Sequence, residues 1–129
     1  MTTSTPTTDQ TAVQLLEGAL TYIRTHGWQR GRVGYKNPGD TCPASVRGAL
    51  RAAVGYYEGM PDEDLPQSHW QAREALDNAM PEIDDEDGIH VTDVEEYNDL
   101  YAADQEEIEN LFLQAIEYAR AEFEADAAT

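Results

Sequence analysis

The stretch "DQEEIENLFLQAIEYARAEF", residues 104–123, decides the fold. Ile108, Leu111, Phe112, Ala115, Ile116, Ala119 and Phe123 recur at spacings of three and four. That period places them on one helix face for about four turns. Glu106, Glu109, Glu117 and Glu124 lie mostly off the face. Asp104, followed three residues later by Glu107, is a helix-start pattern. A helix with such a stripe must bury it against another element, so the search moves upstream.

Val13, Leu16, Leu20 and Ile23 form a second stripe, widened by Leu15, Ala19 and Tyr22. Thr8 or Asp9 is the expected cap, and Gly27 the expected stop. A further helix is predicted from about Pro43, with Val46, Leu50 and Val54 on one side and Gly48 allowing a close neighbour. Another should span Pro66 to Ala79, with Ser68 and Gln71 as a capping box. Thr92 and Glu95 repeat that pattern before a short helix over Asp93–Leu100. Between the first two helices, "GWQRGRVGYKNPGDT" carries a type II turn at Asn37-Pro38-Gly39-Asp40 and a weak hairpin signal through Val33 and Tyr35. The prediction is all-α: an irregular bundle of four to five helices in one domain over residues 9–126. Residues 1–8 are expected to be a disordered tail, and residues 81–92 an acidic connector.

Charge is the strongest compositional signal. The 129 residues carry a formal charge of −18, unevenly placed. Residues 1–56 sum to +3, whereas residues 57–129 hold 23 acids against Arg73 and Arg120. An acidic half of this kind repels nucleic acid and anionic membrane and attracts basic surfaces. No apolar run reaches the ~18–20 residues that span a bilayer. Cys42 is the single cysteine, so no internal disulfide forms. The opening residues lack the basic and apolar regions of a signal peptide, and a cytoplasmic setting is expected.

"IDDEDGIHVTDVEE", Ile83–Glu96, imitates a calcium loop but fails a count of positions. With Gly88 at position 6 of an EF-hand loop, positions 1 and 12 are Ile83 and Val94, both apolar. Starting instead at Asp84 moves Gly88 out of the turn position. His26, His69, His90 and Cys42 show none of the spacings of structural zinc sites. No metal or cofactor is therefore expected. Cys42 before a helix is the one candidate nucleophile, and a small enzyme pairing it with a histidine is the competing functional class.

Three motifs in order point to a family. "LEGALTYIRTHGW" ends a helix in Gly27-Trp28, "GDTCPASVRGALRAAV" sets Cys42 ahead of Gly48-Ala49-Leu50, and "YNDLYAADQEEIENLFLQAIEYA" places Tyr97-Asn98-Asp99 before the last helix. Together they resemble domain-of-unknown-function family 6197, over about Leu15 to Ala119. Tyr97 stands where that family usually has tryptophan. The resemblance implies an actinobacterial or phage setting and supplies no catalytic residue.

The functional expectation is a non-enzymatic protein–protein interaction or regulatory role. Asp84, Asp85, Glu86, Asp87, Asp93, Glu95 and Glu96 are assigned as the contact surface for a basic partner. The alternative is a DNA mimic, whose carboxylates imitate backbone phosphates and inhibit a nucleic-acid-binding protein.

Overall fold

The computed structural model describes residues 11–84, 87–89, 91 and 93–124. The expected tail, Asp85 and Glu86 of the connector, and the expected cap Thr92 lie outside the described residues. The described chain is helical: α1 (Ala12–His26), α2 (Val46–Val54), α3 (Gln67–Ala79), the short α4 (Val94–Glu96) and α5 (Gln105–Ala119). α4 runs directly into a π-helical turn, Tyr97–Tyr101, closed by the Ala102 N–H on the Tyr97 carbonyl at 2.9 Å. A second π-helical turn, Arg120–Glu124, follows α5. α1 packs against α2, α3 and α5, and α3 packs against α5.

The stripes are where the periodicity puts them. Leu15, Leu16, Ala19 and Ile23 of α1 and Ile108, Phe112 and Ala115 of α5 are fully buried, with Leu50 and Leu76 beside them. Each large apolar side chain removed from water in this way contributes roughly 1.5–3 kcal/mol.

The helix starts differ from expectation. α1 begins at Ala12 because Thr11 and Gln14 form a reciprocal box: Gln14 N donates to Thr11 Oγ1 at 3.1 Å and Thr11 N to Gln14 Oε1 at 2.9 Å. α2 begins at Val46, not Pro43, because residues just before it are extended. Ala44 N donates to the Gly27 carbonyl, and Gln29 N to the Ala44 carbonyl, in a parallel bridge between Trp28 and Ala44. That bridge stands in place of the predicted hairpin, whose run through Val33 is interrupted by left-handed Gly31 and Gly34. The type II turn forms as read, with Asp40 N on the Asn37 carbonyl at 3.1 Å and Gly39 at φ 98°. α3 starts after Pro66 with no side-chain cap, which leaves Ser68 inside the first turn. α4 is capped by Asp93, whose Oδ1 accepts the Glu95 N–H at 2.9 Å. α5 starts as predicted, with Glu107 N on Asp104 Oδ1 at 3.0 Å.

α3 buries a histidine. His69 is 3% exposed, and its Nδ1, like Ser68 Oγ, finds no hydrogen-bond partner among the described residues. Burial, and then the nearby Arg73, Arg51 and Arg47 with only Asp62 opposing them, pushes His69 down to about 4 from 6.5. Between those values the unfolded chain binds a proton that the folded chain refuses, so this group's contribution to stability falls as pH falls. The loss expected is about 2–3 kcal/mol. Burial raises the carboxyls of Asp77 and Glu95, whose contributions change in the opposite sense. Comparing urea unfolding of the wild type and His69→Phe from pH 7 to pH 4 isolates the histidine. The wild type should lose stability relative to the variant; parallel curves would refute this.

Candidate functional site

The three motifs quoted above converge on one buried amide. Asn98 is 0% exposed. Its Oδ1 accepts the Trp28 Nε1–H at 2.7 Å and the Val46 N–H at 3.0 Å. Its Nδ2 donates to the Gln29 carbonyl at 3.2 Å and to Asp99 Oδ1 at 2.9 Å. The same Asp99 oxygen accepts the Gly31 N–H at 2.8 Å. Every polar atom of the Asn98 side chain is thus engaged, as a fully buried amide requires.

The N-terminus of α2 explains why an amide from so far along the chain is needed. A helix starts with four N–H groups that have no internal acceptor, and the first turn of α2 holds no acid of its own. Ser45 N donates to the Val33 carbonyl at 3.1 Å and Val46 N to Asn98. Arg47 N donates to Glu95 Oε1 at 3.2 Å and Gly48 N to Ser45 Oγ at 3.1 Å. All four are satisfied, two of them by side chains from α4 and the turn that follows it. The Glu95 carboxylate also accepts a bond from Ser45 and lies against the positive end of the helix dipole. Burial still holds its carboxyl above the usual carboxylate range.

Glu95 is half-buried, and its carboxylate closes α2. Glu96 is half-buried. Asp93 is exposed while capping α4, and Asp84 and Asp87 are exposed in the connector. Asp85 and Glu86 lie outside the described residues. The connector is pinned at its ends: Val91 is buried and donates its N–H to the Ile83 carbonyl at 2.8 Å, and Val94 N bonds Asp77 Oδ1 at 3.1 Å. Asp84 and Asp87 therefore lie on a closed loop.

Cys42 is exposed, and its thiol donates to the Gly34 carbonyl at 3.2 Å. It sits on the extended approach to α2. Tyr22 OH donates to the Cys42 carbonyl at 2.8 Å, and burial, with Cys42 beside it, pushes that phenol up to about 12. Among the described residues no group of three His, Cys, Asp or Glu side chains is placed to hold a metal ion, and no helix is long and apolar enough to cross a membrane.

The family model described as "Family of unknown function (DUF6197)" matches residues 7–118. No curated protein and no solved structure gives a significant match.

Proposed function

Because the chain belongs to the family of unknown function DUF6197, its role must be read from its own surface, and we propose a non-enzymatic interaction protein. It acts in the cytoplasm of a bacterium or a phage-infected cell and engages a basic protein surface through its acidic half. One observation carries the reading: acids are sorted in the fold. Asp77, Glu95 and Asp99 accept N–H groups from distant segments, whereas Asp40, Asp93, Asp104 and Glu107 accept N–H groups of their own turns. Asp62, Glu63, Asp64, Asp84, Asp87 and Asp93 remain exposed. The two cations of residues 57–129 do little to neutralise so many acids: Arg73 lies over the Trp70 ring at 5.6 Å, and Arg120 reaches Glu17 and Glu117. A surface dominated by one sign steers an oppositely charged partner over about a Debye length, ~10 Å at 0.1 M salt.

The test uses Asp84→Asn/Asp87→Asn/Asp93→Asn alongside the wild type, after circular dichroism has shown the same helicity. The wild type should capture a basic partner from cell lysate and release it on raising salt, and the triple variant should bind at least about tenfold more weakly. Equal capture by both would overturn the assignment. Displacement of the partner by duplex DNA would single out the DNA-mimic form of the same reading.

A further inference from the structure

The positive pole of the molecule is a cleft of about 660 Å³ between the segment that follows α1 and the C-terminal end of α2. Arg32, Lys36 and Arg51 line it, three of the eight basic residues in the chain, against the single carboxylate of Glu58. Asp40, the other acid of this segment, is turned into its own turn, where Oδ2 accepts the Lys36 and Asn37 N–H groups at 2.9 and 3.0 Å. Asp40, which acts on Lys36, and Glu58 oppose three cations, so the cleft keeps an excess of positive charge.

Tyr35 and Tyr56 form its aromatic walls. Tyr35 is 3% exposed, and its hydroxyl donates to the Tyr56 carbonyl at 2.9 Å. The Arg51 guanidinium lies 4.3 Å from the centre of the Tyr56 ring. Burial and the neighbouring Arg47 push that guanidinium below its ordinary range, so a facing anion would relieve it. The volume falls among those of small-ligand clefts, about 300–1,000 Å³. A doubly charged phosphate suits a guanidinium fork and an ammonium together better than a carboxylate does.

We propose that this cleft binds a phosphate monoester of mononucleotide size, with Arg32 and Lys36 on the phosphate and a planar ring against the Arg51–Tyr56 stack. The site is independent of the acidic surface, and either can fail without the other.

The experiment titrates the full chain with adenosine monophosphate and, separately, with inorganic phosphate, following the Gly34 and Lys36 amides and the arginine Nε–H groups by NMR. The nucleotide should saturate with a Kd of about 0.1–1 mM, and inorganic phosphate should bind about tenfold more weakly because it lacks the ring. Arg32→Gln/Lys36→Gln, both at exposed positions, should weaken the nucleotide by at least about tenfold. Asp62→Asn/Asp64→Asn should leave it unchanged. No saturation by about 10 mM, equal affinity for nucleotide and phosphate, or undiminished binding by the double variant would each overturn the proposal.

Discussion

Asn98→Ala is expected to destabilise the domain by about 3–5 kcal/mol, from loss of a satisfied buried amide rather than from lost apolar packing. The substitution removes four hydrogen bonds at once. It leaves the half-buried Trp28 indole N–H and the buried Val46 N–H without their acceptor. Each stranded buried group costs about 1–3 kcal/mol, against a typical total stability of about 5–15 kcal/mol. Chemical denaturation followed by tryptophan fluorescence measures the loss, and the Trp28 indole resonance should move furthest. A cost below about 1 kcal/mol, the level of an ordinary surface substitution, would show that the hub is dispensable.

Asn98→Asp separates the acceptor and donor halves of the same side chain. The carboxylate can still receive Trp28 and Val46, and a negative charge suits the start of α2. Its second oxygen, however, faces the Gln29 carbonyl and the Asp99 carboxylate, where the amide now donates. Two facing acceptors favour the protonated form of the introduced carboxyl in the folded state, so its folded pKa rises above the unfolded value. Stability is then retained at low pH and lost as pH rises through the folded value. The gap between this variant and the wild type should narrow on acidification. A gap that is constant with pH would mean that the donor half is not what matters.

The fold class was legible because helical periodicity is a local property. Ile108, Phe112 and Ile116 mark their shared face through spacing alone, and the core follows from joining such faces. The capping pairs were less secure for a physical reason. Any Ser, Thr or Asp near a helix start can accept an N–H, so the choice among Thr8, Asp9 and Thr11 turns on which one has Gln14 in reach. The hub was not legible. An Asn-Asp pair between two helices ordinarily signals a turn, and the partners of Asn98 are 52 and 70 residues away. The one local hint was negative: α2 begins Ser45-Val46-Arg47-Gly48, with no acid in its first turn. A buried helix start without its own anion needs one from elsewhere, and Glu95 supplies it. A run of carboxylates likewise does not reveal which of them bonds another element. Glu95 bonds α2 while Asp93, two residues earlier, stays exposed.

The second large effect concerns the same helix start from its other side. Gly48→Ala is expected to cost at least about 3 kcal/mol, as overpacking plus a broken polar contact, although alanine is the better helix former by about 1 kcal/mol. Gly48 has no unusual backbone angle, so the reason is space alone. A Cβ there would lie 2.0 Å from the Val33 carbonyl oxygen and 3.0 Å from the Ala44 Cβ. That carbonyl is the acceptor of the Ser45 N–H. Moving it away to admit a methyl group breaks one of the four bonds that close α2 and pulls the segment lining the cationic cleft with it. Gly18→Ala is a milder packing comparison: its added Cβ would meet only Ala53, with a tight 3.2 Å to the nearest atom. Gly55→Ala is the control for backbone strain, with φ 81° and open space around it, and should cost about 1 kcal/mol. Urea midpoints should therefore place Gly48→Ala far below both. If Gly48→Ala unfolds within about 1 kcal/mol of Gly18→Ala, the close approach of α2 to Val33 is not a constraint on the fold.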